Sequence, residues 1–236
     1  SVLRDPDTER FRIWYGVPES ASQSHLATME SDDGVRWKRP HRVLDDPGRI
    51  QFGVSVLDDR GVDPDPERRY KYGWWDDGGL QIASSPDGLR WRRMAPGPVL
   101  RHNHDINHLY RDPIRNRYGA CVSVYGPDPL WKGNRRATWH SVSDDLIRWS
   151  KPHRIVWPDA RDGDGATEFY AVGGVLARGE LLFAFARVLR DDLPAEPGGP
   201  VAGLGYSQLV WSRDGRTWVR ERTPFLDRNP VPGTWD

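Results

Sequence analysis

Apolar and aromatic residues in this chain fall in short runs, at 10–16, 24–30, 69–75, 80–84, 117–126, 136–142, 181–188 and 205–211, with further runs upstream at 2–4, 52–57, 106–110 and 170–176. The runs alternate partly in polarity and are divided by Asp-Pro, Pro-Asp, Asn and Gly clusters that force turns. No stretch of ten or more residues sustains apolar positions at i, i+3, i+4 and i+7, so the pattern predicts strands throughout and an all-β chain.

A short motif punctuates the runs. SDDGVRW (31–37), SPDGLRW (85–91), SDDLIRW (143–149) and SRDGRTW (212–218) place aspartates at 33, 87, 145 and 214, spacings of 54, 58 and 69 residues. Self-similarity on this scale signals a propeller or another array. Three runs precede each box and a fourth leaves its Trp, at 38–44, 92–100 and 150–157, which matches a four-stranded propeller blade. Within the box the Asp is expected to accept backbone N–H bonds, the Gly to take a positive φ and the Trp to pack between blades. These residues therefore read as scaffold. Leu146 replaces the Gly in the third copy, which predicts a different turn there.

Charge narrows the partners. Lys and Arg number 34, as do Asp and Glu, so no net field attracts nucleic acid or an anionic membrane. The 12 Trp and 8 Tyr exceed what a core of this size needs, and flat amphipathic rings suit a sugar face or a polar cleft. The single cysteine, Cys121, sits in an apolar run and reads as a buried, inert thiol. No apolar stretch approaches the roughly 20 residues of a membrane span. The first residues lack a basic-then-apolar leader, although an upstream leader could have been cut away. The compartment therefore stays open, with the cytoplasm slightly favoured, and so does the oligomeric state. Two Pro/Gly-bearing insertions, 122–136 with Trp131 and 191–203, are placed to overhang one end of a channel. Neither is flanked by a change in composition, so residues 1–236 read as one domain.

The boxes, the Asp-Pro starts at Asp5-Pro6 and Asp112-Pro113, and HNHDINHLYRDP (102–113) together resemble the five-bladed β-propeller glycoside hydrolases of the family 32, 43 and 68 type. The box is also reminiscent of the sialidase Asp box, which has an extra residue between Asp and Gly and is the weaker match. The resemblance implies five blades; four are evident, and the chain stops at PGTWD (232–236), where a fifth would begin. It also implies a carbohydrate substrate, furanosides above all, and no cofactor.

In a propeller the residues leading into each innermost strand point into the pocket. Here these are Gln51 and Phe52; His102, His104, Asp105 and Asn107; Glu168 and Tyr170; and Trp235 and Asp236. Carboxylates thus recur at equivalent positions of three consecutive blades. Glycoside hydrolysis needs one acid to protonate the leaving oxygen and a second carboxylate to act as nucleophile or to activate water. By the resemblance Glu168 is the proton donor, its pKa expected to be raised by burial near Phe169 or Tyr170 and by negative neighbours. Asp105 and Asp236 share the roles of base or nucleophile and stabiliser. Gln51, His102, His104, Asn107, Tyr170 and Trp235 are the candidate substrate-binding residues. The plainer alternative is that Asp and Glu at such junctions are solvated turn residues. A metal reading of His102, His104 and His108 lacks two further ligands, so no metal site is assigned, while acids near the axis could hold a structural Ca²⁺. Asp112-Pro113 resembles an acid motif of fructan-cleaving enzymes, yet it follows the inner strand, where a turn is expected. A non-catalytic sugar- or protein-binding propeller, and transfer of the glycosyl unit to phosphate or another sugar, are the other functions that fit these residues.

Overall fold

The computed structural model describes residues 1–20, 23–38, 41–42, 53–128, 133–162, 166–190 and 204–227. Among these there is no α-helix; the only helical turn is a short 3-10 segment, Pro66–Arg68, capped by the Asp65 side chain. Among the described residues no helix is long and apolar enough to cross a membrane. The strands are β1 (Val2–Arg4), β2 (Phe11–Ser20), β3 (Gln23–Ser31), β4 (His41–Arg42), β5 (Ser55–Asp58), β6 (Tyr70–Asp76), β7 (Gly79–Ser85), β8 (Arg92–Arg93), β9 (Leu100–Arg101), β10 (Asn107–Asp112), β11 (Arg117–Pro127), β12 (Asn134–Ser143), β13 (His153–Val156), β14 (Ala166–Arg178), β15 (Leu181–Arg190), β16 (Leu204–Ser212) and β17 (Val219–Leu226). They form sheets in sequence order, β1-β2-β3-β4, β5-β6-β7-β8 with β9 also on β7, β10-β11-β12-β13 and β14-β15-β16-β17. Each is an up-and-down sheet of the kind that makes a propeller blade. The residues expected to begin a fifth blade lie outside the described ones.

The chain divides into two compact units, Ser1–Arg111 with Ser143–Trp149, and Asp112–Val142 with Ser150–Asp236. In the first, Trp14, Leu26, Val56, Tyr70, Tyr72, Trp74, Ala83 and Trp91 form a continuous core. Tyr72 stacks on Trp74 with centroids 4.8 Å apart and meets the box residue Trp91 at 5.4 Å. Burying such rings supplies most of the apolar area of a small sheet interface. Lys71 is fully buried with Nζ 3.1 Å from Asp59 and 3.0 Å from Asp63, which fastens the 59–68 loop to β6. In the second unit, the box residue Trp218 lies edge-on to His140 of β12 at 6.1 Å, so this Trp does pack across sheets. Cys121 is buried, and burial pushes its thiol well above the ordinary value, as an inert side chain requires.

All four boxes form one turn. The Ser Oγ accepts the N–H of the fourth residue at 2.9 Å, from Gly34, Gly88, Leu146 and Gly215. The Asp Oδ1 accepts the next two N–H groups at 2.7–3.0 Å. Burial pushes Asp87 upward, but the N–H groups of Arg90 and Leu89 overcome this and hold it at about 2. The N–H of Arg148 likewise holds Asp145 below the usual carboxylate range. The expected different turn at Leu146 is not found. Leu146 adopts φ +66°, the value of Gly215 and close to the +75° of Gly34 and Gly88. The hydrogen bonds of the box impose the left-handed backbone on a β-carbon, and the Leu side chain is 1% exposed, so its burial offsets the strain.

The turns also receive side chains from the preceding sheet. Trp14 Nε1 donates to Gly88 O at 2.8 Å and Arg12 Nη1 to Asp87 O at 2.6 Å. In the second unit Arg115 bonds Arg213 O, and His153 Nε2 lies 3.0 Å from Arg216 O. A Cβ at Gly88 would come within 2.7 Å of the Trp14 ring, so glycine is required there by space as well as by φ.

Candidate functional site

The segment leading into β10 carries the first-unit candidates. His104 Nδ1 lies 2.5 Å from Asp105 Oδ1, an ion pair whenever the imidazole is protonated, and both side chains remain about a quarter exposed. His102 is buried, and its backbone N–H donates to Gly78 O at 3.1 Å. Asn107 is buried in the orientation in which its amide donates to Gly53 O at 3.2 Å and accepts from Trp75 N at 3.0 Å. Its amide thus clasps the start of β10 to the segment before β5 and to β6. His108 is half-buried on β10, and burial of its ring followed by the charge of the chain's amino group pushes it down to about 4.

In the second unit Glu168 stands near the start of β14. Its carboxylate Oε2 accepts from Arg136 Nε at 2.7 Å and from Nη2 of the same guanidinium. Among the described residues no hydrogen bond reaches Oε1. The guanidinium also lies over the Tyr170 ring, 4.9 Å from its centroid. Arg136 and Thr138 are two apart on β12 and so share a face; Thr138 Oγ1 donates to Phe169 O at 2.9 Å. Phe169 is fully buried, with Arg220 stacked over its other neighbourhood at 4.3 Å. Arg220 in turn pairs with Asp162 at 2.7 Å, and Arg222 bonds Asp159, which its guanidinium holds well below the usual carboxylate range. Among the described residues of its unit, Glu168 is thus held by a positive neighbour, Arg136. Nothing in the strand pattern singled out Arg136 or Arg220; both open or continue ordinary strands.

Asp105 and Glu168 belong to different compact units, and Gln51, Trp235 and Asp236, with Trp131 and the 191–203 insertion, lie outside the described residues. Asp112 is a turn residue, as expected: its Oδ1 accepts from Ile114 N and Arg115 N at 3.1 and 3.2 Å, and Arg115 pairs with it at 3.0 Å. Among the described residues no three His, Cys, Asp or Glu side chains gather as a metal site would require.

Solved structures align with this chain over nearly its whole length. A thermostable family-43 glycoside hydrolase matches with a TM-score of 0.69 at 14% identity, covering 97% of this chain and 73% of that one. The fold is a β-propeller shared with glycoside hydrolases. An N-acetylgalactosamine deacetylase from F. plautii, in complex with blood group B trisaccharide, matches at 0.63 and 10% identity, covering 89% of this chain and 71% of that one. A β-fructofuranosidase from Schwanniomyces occidentalis, complexed with fructosyl-erythritol, matches at 0.61 and 15% identity, covering 95% of this chain and 45% of that one. No protein-family model and no curated protein matches the sequence.

Proposed function

We propose that this propeller is a glycoside hydrolase of furanosides or small oligosaccharide ends, with Glu168, Asp105 and Asp236 as its acids. The observation that carries the reading is the placement of Glu168: a largely buried carboxylate near the start of β14, one oxygen fixed by Arg136 and the other unbonded among the described residues. In hydrolysis the glycosidic C–O bond breaks as the leaving oxygen takes a proton from Glu168; the unbonded Oε1 is the atom that carries it. Water supplies the hydroxyl that ends on the anomeric carbon, and its proton passes to a carboxylate. Asp105, held by His104, serves as base, nucleophile or stabiliser with Asp236. Tyr170 offers a ring face to the sugar, with His102, His104, Gln51 and Trp235 as hydroxyl partners; Asn107 positions the β10 start. The likeness to a fructofuranosidase supports the furanoside class as a prior only, because fold does not fix function.

A second reading draws on the same ion pair. Arg136 engages the carboxylate as it would in a non-catalytic sugar-binding module, in which Glu168 orders the pocket and turns nothing over. The test is turnover of a panel of aryl glycosides, furanosides included, by the full-length protein beside Glu168→Gln and Asp105→Asn. Under the hydrolase reading the Gln variant loses about 100- to 10,000-fold in kcat with folding unchanged. No turnover on any substrate, with equal sugar binding in all three proteins, establishes the binding module.

A further inference from the structure

Within the first unit, a cavity of about 360 Å³ opens between the turn ends of β1 and β5, beside the box at Asp87. This places it away from Asp105. Asp5 follows β1 and Asp58 ends β5, whereas Asp105 precedes β10, whose start is clasped to the segment before β5 through Asn107 and Gly53. The volume falls at the small end of the roughly 300–1,000 Å³ of ligand pockets and suits one sugar-sized ring.

Its lining is charged but balanced: Arg4, Arg10, Arg12 and Arg69 against Asp5, Glu30, Asp58 and Asp87. The pairs are fixed. Arg69 bonds Asp58 at 2.7 Å and Asp5 at 2.9 Å, Arg12 bonds Glu30 at 2.7 Å, and Asp87 is engaged in its own turn. A cavity so neutralised offers an ionic ligand no net attraction, while its oriented N–H donors and carboxylate acceptors match a ligand that both donates and accepts. Phe11, Trp14 and Tyr70 add ring surface. Tyr70 is 6% exposed, and its hydroxyl lies in the field of Arg69, Asp58, Arg12 and Asp5, all lining residues, with no hydrogen bond to it among the described residues. A tyrosine hydroxyl on the cavity wall can both donate to and accept from a ligand hydroxyl there.

We infer that this cavity is a second binding site, for a neutral polyhydroxylated ligand of single-ring size. The inference does not depend on the glycosidase reading. The probe is myo-inositol, with D-glucose as a second polyol and inorganic phosphate as the charged control, titrated against the full chain while the Trp14 indole N–H is followed by NMR. The variants are Tyr70→Phe, which removes one hydroxyl, and Thr8→Trp, which fills the mouth from an exposed position. The expected result is a saturable shift with the polyols, about tenfold weaker in Tyr70→Phe, lost in Thr8→Trp and unchanged in Glu168→Gln. No saturable shift with either polyol, a shift that survives both variants, one lost in Glu168→Gln, or tighter binding of phosphate than of both polyols would overturn the assignment.

Discussion

Arg136 Nε donates to Glu168 Oε2 at 2.7 Å while the same guanidinium covers the Tyr170 ring. One cation thus fixes two of the proposed site residues. Arg136→Met keeps much of the stem over the ring and removes the fork. Under the proposed function it lowers kcat by about 10- to 100-fold with little change in KM, because it disturbs orientation more than affinity. Arg136→Lys recovers only part, since an ammonium cannot reproduce the fork. A kcat equal to the parent's in both variants would remove Arg136 from the site.

The left-handed backbone at Leu146 makes an unusual ordering testable. Leu146→Ala forfeits buried side-chain volume, at a cost of about 2–5 kcal/mol, and retains a β-carbon at positive φ. Leu146→Gly forfeits one carbon more but relieves about 1 kcal/mol of strain. Urea unfolding is expected to rank the Gly variant above the Ala variant, the reverse of the order in an ordinary strand. Ala above Gly would contradict the shared turn.

Lys71 lies between Asp59 and Asp63 with essentially no exposure. Lys71→Met removes the buried cation that Asp59 and Asp63 share, although Asp63 keeps Arg68 at 3.1 Å, and destabilises the protein by about 3 kcal/mol. Adding Asp59→Asn and Asp63→Asn restores most of that loss. Denaturant midpoints of the single and triple variants decide it; a triple variant no more stable than Lys71→Met would show that the charges are not the cause.

Acid lability has a definite sign. Burial first, with the charges of His153 and Arg117 behind it, holds His140 at about 3, and burial holds His108 at about 4. Both lie below the ordinary histidine value, so the folded state binds fewer protons than the unfolded one. Their stabilising contribution is complete above about pH 6.5 and is lost as pH falls from there towards 4 and then 3. The box aspartates, also lowered, add a loss that begins only below about pH 4. Unfolding free energy is expected to decline from pH 6.5 downward, and His140→Gln to flatten the slope between pH 6.5 and 4 even though it lowers stability at neutral pH. An unchanged slope in the variant would assign the decline elsewhere.

The strand pattern was readable because alternation and turn residues are local signals: β2, β3, β6, β7, β11, β12, β15 and β16 fall on the runs that predicted them, within a few residues at their ends. The scaffold role of the box was equally local, since the bonds that its Ser and Asp side chains accept from the backbone stay within the box. What the third box does was not legible. A Leu in place of Gly reads as a changed turn unless one knows that Ser143 and Asp145 hold the backbone regardless and that the side chain finds a buried place. The partners of Glu168 and Phe169 were hidden for the opposite reason. Arg136 is 32 residues from Glu168, and nothing in an arginine near the start of a strand announces which carboxylate it will meet. Asn107 reads as a ligand-facing amide from its position, and its amide bonds backbone groups of Gly53, ahead of β5, and Trp75, on β6.

The fastening of one sheet to the next sheet's turn, Trp14 to Gly88 O in one unit and Arg115 to Arg213 O in the other, uses carbonyls that the box presents whatever its side chains are. The first and third sheets thus supply the plugs, and the boxes of the second and fourth the sockets. A two-sheet segment duplicated in the gene would bring both halves of the joint with it, so the architecture can lengthen by such pairs without inventing a new interface.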